Sequence, residues 1–302
     1  MTAYPSLETT GNEVTIMVGS IIQHALYGVV TGSILLLGTL GFTMVERLDG
    51  FVNISHGQLI AIGAYSMWLC YNILGLNFVI AAILAIVISA LAALLMHKVF
   101  FKPILRFAVV TVIITSCGVG IFLNGVIEYL GGPDVHSLGL PIYRVAKLGS
   151  FRLISKDFMA VIVVGVVSII VIHLFLQRTK LGKAFRAVSS NRPLALTKGV
   201  NLDSLSTFVW LLNGATAGLA GILLGVVGNI SPDMGWHQTM VIMSVAVLGG
   251  LGNIYGIMIA AFIVGITMDV GVLFFPSGYR PALAFAIIII GLLLKPEGIF
   301  SE

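Results

Sequence analysis

Charged residues are widely spaced along the chain, leaving apolar runs at 14–45, 50–97, 107–127, 158–177, 204–232, 234–268 and 281–294. About 20 apolar residues cross a bilayer as a helix, so each run predicts one crossing or a pair. The run 50–97 is too long for one helix and breaks at Asn72 to Asn77 (NILGLN); the run 234–268 breaks at Leu248 to Asn253 (LGGLGN), where glycines end a helix. The pattern predicts an all-α integral membrane protein, one domain over 1–302. It is a polytopic helical bundle of about eight or nine spans, with broken or re-entrant helices among them.

Composition strengthens that reading. With 58% apolar residues and 9% charged and a mean hydropathy of +1.09, the chain has too little polar surface to cover a water-soluble globule. The net charge of +4 resides in loops and reports orientation, with no sign of nucleic-acid binding. Cys70 and Cys117 lie in different apolar runs without metal-like spacing and read as packing residues. The apolar run behind the N-terminus is too long for a signal-peptide core and is expected to stay attached as the first span.

Charge distribution then sets the topology. Arg178 to Val200 holds six of the sixteen Lys and Arg residues and no acid, and Lys98, Lys102 and Arg106 form a second basic cluster. The positive-inside bias makes both cytoplasmic. The segment Glu128 to Asp157 mixes four basic with three acidic residues and suits the outer face. The expectation is an N-terminus outside, a C-terminus in the cytoplasm, an external loop over 131–157 and a cytoplasmic loop over 178–203.

Within the basic loop, two short helices are expected. Asn191 can cap the second, Pro193 suits its first turn, and Ala195 and Gly199 fall four apart on one face. Gly214, Gly218, Gly221 and Gly225 also share a helix face, which predicts close packing within the chain or against another subunit.

The segment Glu46 to Gln58 (ERLDGFVNISHGQ) interrupts the apolar pattern, and irregular backbone at membrane depth survives only beside protein or a water-filled path. A helix starting near Ser55 would turn its N-terminal amides towards such a path and suit a substrate carboxylate. Asn53, Ser55, His56 and Gln58 are the first candidates for a substrate path, with Asn229 and Ser231 of a second Asn-Ile-Ser run as further candidates. The alternative for His56 is a hydrogen bond bracing a broken helix. Glu46, Arg47 and Asp49 are expected to cap or pair locally, or to gate the path.

Nucleotide chemistry has to come from a partner, and the pattern favours an ATP-driven complex, with sodium coupling through backbone carbonyls as the alternative. No phosphate-binding G-x-x-x-x-G-K-[ST] run occurs, and Glu128, Asp233, Asp269 and Arg280 fall at predicted span ends, away from any proton relay. His24 and His173 each stand alone and read as packed or interfacial. No Ser/His/Asp set, His cluster or carboxylate pair lies within a span, so an intramembrane enzyme is a poor reading.

The loop resembles the coupling loop of ABC importer permeases, whose pattern is E-A-A, three residues, G, nine residues and I-x-L-P. Pro193-Leu194-Ala195 stand at E-A-A, Gly199 at the glycine, and Val209-Trp210-Leu211-Leu212 at I-x-L-P; the Glu and the final Pro are absent. A closer resemblance is to the branched-chain amino-acid (leucine/isoleucine/valine) permease family. It is carried by Gly32-Ser33 to Gly41-Phe42-Thr43, VNISHGQLIAIGAY (Val52 to Tyr65), GKAFRAVSSNRPLALTKGVN (Gly182 to Asn201), VLGGLGNIYGIMIAA (Val247 to Ala261) and LLKPEGIF (Leu293 to Phe300).

That resemblance implies a permease subunit without a nucleotide site, in a bacterial or archaeal inner membrane. Its partners would be a second homologous permease in a heterodimer, two ATPase subunits carrying ATP and Mg, and an external solute-binding protein. It also implies an ATPase-coupling role for Gly182, Arg186, Ala187, Asn191, Pro193, Ala195 and Gly199. Leucine, isoleucine or valine is the expected cargo; urea, short amides and organic or aromatic acids are alternatives within the family. A passive channel built on the two Asn-Ile-Ser runs is the rival of another class.

Overall fold

The computed structural model describes residues 7–140, 147–148, 151–152, 156–250 and 254–294. Helix α1 (Leu7–Asp49) has 43 residues, about 65 Å at 1.5 Å per residue. Its stretch from Gly32 to Val45 is buried on every side, as expected of a helix apolar all round. Buried hydroxyls within it, at Ser33, Thr39 and Thr43, donate to carbonyls one turn back at Val29, Leu35 and Thr39. The helix thus satisfies its own polar groups and forms the axis of the bundle.

Helix α2 (His56–Trp68) runs into a π-helical turn (Leu69–Ile73). The chain reverses at Gly75, φ +64°, and restarts as α3 (Phe78–Met96), capped by the Asn77 side chain accepting from the Val79 amide. This is the predicted break at Asn72 to Asn77. A second π-helical turn (His97–Phe101) ends α3, followed by α4 (Val109–Gly131). Two residues each of β1 (Lys147–Leu148) and β2 (Phe151–Arg152) pair antiparallel. Then come α5 (Lys156–Arg178), α6 (Lys180–Ser190), α7 (Arg192–Thr197), α8 (Leu202–Val227), α9 (Met234–Gly249), α10 (Ile254–Gly271) and α11 (Arg280–Leu294). The break between α9 and α10 falls at the predicted LGGLGN, where Gly250 takes φ +86°.

Among the described residues, five helices are long and apolar enough to cross a membrane: Met17–Asp49, Phe78–Phe101, Val109–Gly131, Phe158–Arg178 and Leu202–Val227. Large apolar side chains point outward from α3 (Val79, Ile83, Leu91), α4 (Ile114, Ile121) and α5 (Val163, Val167). Such faces suit lipid or another membrane subunit. The chain is a multi-pass membrane protein.

Glycines set the closest helix contacts. Gly214 and Gly218 of α8 lie against Ser89 of α3, Gly221 lies against the Ile60 carbonyl of α2, and Gly225 faces Ile230. The predicted glycine face therefore packs within the chain. Asp269 lies near the end of α10, at the predicted span end, and is nonetheless buried. It is 2% exposed, accepts from Thr31 Oγ1 at 2.5 Å and pairs with Arg280 at 2.6 Å. His24 bonds back to the Ser20 carbonyl and His173 sits edge-on to Tyr255.

Candidate functional site

α1 ends at Asp49, and the next six residues enter the bundle before α2 begins. Gly50 turns the chain with φ +75°, and the Phe51 ring meets that of Phe101 at 5.2 Å, tilted by 31°. The Ile54 amide donates to Ser116 Oγ at 3.1 Å, and Ser55 lies against Gly120. Ser116 and Gly120 belong to the middle of α4, so α2 starts inside the bundle and runs beside α4 until Tyr65 meets Gly131.

Four of the predicted path residues come together here. Asn53, Ser55, His56 and Gln58 are each at most 1% exposed. Asn53 Oδ1 accepts from Ser55 Oγ at 2.6 Å and from the Ser55 amide at 3.2 Å. His56 Nε2 lies 2.9 Å from the Gly38 carbonyl, and its ring meets Phe42 edge-on. Part of the polar capacity remains unused. Asn53 Nδ2, His56 Nδ1 and both side-chain atoms of Gln58 find no hydrogen-bond partner among the described residues. Each such buried group costs about 1–3 kcal/mol when left unpaired, a cost that a polar passenger would relieve.

Helix α9 brings a second N-terminal turn to the same place. Gly57 lies against the Gly235 carbonyl and Thr239 Oγ1, which accepts from the Gly57 amide at 3.1 Å. Gln58 Oε1 abuts Gly235, and the Trp236 ring reaches Gly120. Asn229 and Ser231 do not join the cluster directly. Asn229 is exposed and Ser231 half-buried, on a stretch where Ile230 exchanges both backbone hydrogen bonds with His136, at 2.8 and 2.9 Å. Their connection to the cluster is through the first turn of α9.

The sequence analysis missed Asn213. It is fully buried in α8, beside Gly41 and His56, yet neither end of its amide makes a hydrogen bond of good geometry. A lone amide in the stretch LNGATAG was the available signal, since Asn is a poor helix former and expensive at membrane depth.

The basic loop forms the predicted two helices. Thr179 caps α6 by accepting from the Gly182 amide at 3.0 Å. Gly182 presses against the backbone of Leu176, where no Cβ fits, and Phe185 and Val188 bury the same face, leaving Arg186 and Ala187 exposed. Asn191 caps α7 through Leu194, with Pro193 in the first turn. Ala195 is buried, while Leu194 and Leu196 are 55% and 47% exposed.

The expected shared face of Ala195 and Gly199 is corrected. Gly199 lies beyond the helix at φ +82°, its amide bonds the Leu196 carbonyl, and the next amide, of Val200, bonds the Ala195 carbonyl. That pair of bonds is a Schellman stop, which needs the left-handed backbone glycine supplies.

The same end of the molecule carries a polar network. Asp49 Oδ2 accepts from Trp210 Nε1 at 2.7 Å. Ser206 Oγ lies 3.2 Å from His97 Nε2, and Lys102 pairs with Asp203 at 3.0 Å. Trp210, fully buried, stacks between His97 and Phe101, each at 5.1 Å. Asp49, expected to cap or pair locally, instead takes its partners Trp210 and Ser206 from α8. No metal-binding group of His, Cys, Asp and Glu occurs among the described residues. The arrangement offers hydrogen bonds and fixed dipoles; the Ser206 hydroxyl beside His97 is tied into the packing around the buried Trp210.

Known proteins resemble this chain over most of its length. Residues 24–294 match the family described as the permease component of the branched-chain amino acid transport system. The chain is 29% identical to the high-affinity branched-chain amino acid transport system permease protein LivH of Escherichia coli K12, over 93% of this chain and 96% of that protein. It is 26% identical to the corresponding BraD of Pseudomonas aeruginosa, over the same shares. The solved structure of PsaBC from Streptococcus pneumoniae in complex with Fab has the same fold, with a TM-score of 0.51 at 17% identity over 92% of each chain. A break-and-restart at Val52 to Tyr65, a capped basic helix pair and a match over nearly the whole length converge: the chain belongs to the branched-chain amino acid transport permease family.

Proposed function

We propose that this chain is the membrane subunit of an ATP-driven importer that moves branched-chain or related small amino acids inward by alternating access. The observation that carries this reading is α7. It is a short helix, capped at Asn191 and stopped at Gly199, that turns Leu194 and Leu196 outward at one end of a membrane protein. The exposed Leu194 and Leu196 suit docking to a water-soluble motor subunit. Gly182, Arg186, Ala187, Asn191, Pro193, Ala195 and Gly199 shape or present that surface. ATP and Mg belong to the motor, and this chain contributes no covalent chemistry.

The passenger's route runs past Asn53, Ser55, His56 and Gln58, with Asn213 as a further contact and Asn229 and Ser231 towards the outer mouth. In this closed arrangement the cluster is shut off, and opening it is the motor's task. The first turns of α2 and α9 bring two positive dipole ends to the cluster, which suits the carboxylate of an amino acid. Five long helices together with α2, α9, α10 and α11 give nine crossings, with the N-terminus outside and 178–203 and the C-terminus in the cytoplasm. The apolar outward faces of α3, α4 and α5 leave room for a sister permease, a different chain, and lipid. An external solute-binding protein delivers the cargo.

The test is reconstitution of the purified complex in liposomes with its ATPase and binding protein. Leucine uptake that requires ATP, with hydrolysis stimulated by loaded binding protein, is the expected result. Leucine flux down its gradient without ATP would replace the importer by a channel. Stimulation by urea, an amide or an aromatic acid in place of leucine would move the substrate within the family.

A further inference from the structure

The C-terminus of α1 is held by a residue of the basic loop. Arg192, the first residue of α7, extends Nη1 to the Leu48 carbonyl at 3.3 Å, across 144 positions of sequence. The last carbonyls of a helix have no acceptor role within it, and a guanidinium there satisfies one and complements the negative end of the helix dipole. The Asp49 carboxylate, next in the chain, also feels the Arg192 charge and is fixed by Trp210. Immediately beyond stands Gly50 at φ +75°, with open space around it, and then five residues, Asn53 and Ser55 among them, that lead into His56.

We infer that Arg192 is a tie between α7 and the link 50–55, so that displacement of α7 draws on the last turn of α1, bends the chain at Gly50 and moves the start of α2. The inference rests on the importer reading and names a positioning residue for it. Arg192 touches no cluster residue itself; it acts through Leu48 and the link. Gly50 is the natural hinge because its left-handed backbone and lack of neighbours let it absorb the rotation. Ser116, which accepts from the Ile54 amide, anchors the far end of the link to α4.

The experiment compares wild type, Arg192→Ala and Arg192→Lys in the complete complex in liposomes, reading leucine taken up per ATP hydrolysed. Loss of a charged hydrogen bond is worth enough to lower that ratio more than about threefold in Arg192→Ala, while the ATPase still co-purifies. Arg192→Lys, which keeps a donor for the Leu48 carbonyl, should hold the ratio above that of the alanine variant. A ratio in Arg192→Ala within about threefold of wild type, or a lysine variant no better than alanine, overturns the tie. Loss of the ATPase from the Arg192→Ala complex also overturns it, because Arg192 would then belong to the docking face. Absence of ATP-dependent uptake in the wild type strikes the importer reading itself, and the tie falls with it.

Discussion

Gly57 of α2 lies against the carbonyl of Gly235 in α9, with Thr239 closing the third side. Two helix starts meet there without an intervening side chain. A methyl group on Gly57 would be driven into backbone. Gly57→Ala is expected to cost about 1–3 kcal/mol and to lower the melting temperature in detergent. Gly125 of α4 has nothing within 4 Å of its would-be Cβ, so Gly125→Ala should hold or gain up to about 1 kcal/mol from helix propensity.

Asn213 invites a cleaner separation of function from stability. Its amide makes no hydrogen bond of good geometry in the folded chain, so Asn213→Ala gives up only a loose contact with His56. Stability should stay within about 1 kcal/mol, while leucine uptake by the assembled complex falls about tenfold. Uptake equal to wild type would remove Asn213 from the passenger's route.

Gly199 acts by conformation. Any L side chain at φ +82° is strained by about 1–2 kcal/mol, and relief comes by unwinding the Schellman stop. Gly199→Leu is expected to insert and to bind the ATPase, yet to hydrolyse ATP with little uptake. Steady-state hydrolysis beside uptake in the same vesicles measures this, and normal uptake per ATP would contradict it.

Asp269 and Arg280 make a stability prediction at the other end of the bundle. The Asp269 side chain is 3% exposed and that of Arg280 46%. Arg280→Ala strands a buried carboxylate on Thr31 alone and is expected to cost about 2–3 kcal/mol, the low side of the range because Arg280 is partly solvated. Asp269→Asn in the same chain should recover part of that loss, as read by thermal unfolding.

Much of this was legible from local signals. The break at Asn72 to Asn77, the start of α2 at His56, the cap at Asn191 and the stop within LGGLGN each rest on residues whose backbone preference is written beside them. The partner of Asp269 was not legible, because Arg280 reaches it only after α10 and α11 fold back on each other. Asn213 escaped for a similar reason: a single amide among Gly, Ala and Thr gains meaning only when α2 and α1 deliver His56 and Gly41 to its side. Gly199 was read by helical spacing, whereas its positive φ ends the helix before that spacing applies. Asn229 and Ser231 shared three letters with Asn53 to Ser55 but not an environment, since pairing with His136 depends on where α4 ends.

The glycine seam along α8 constrains how the protein can flex. Where Gly214 and Gly221 touch α3 and α2 chiefly through backbone and Gly218 meets only the small Ser89 side chain, there are few rotamers to exchange and few interdigitated groups to slide. α2, α3 and α8 therefore travel as one stiff plate. Shape change must be taken up at the plate's margins, where unlike surfaces of interleaved side chains have more than one way to settle.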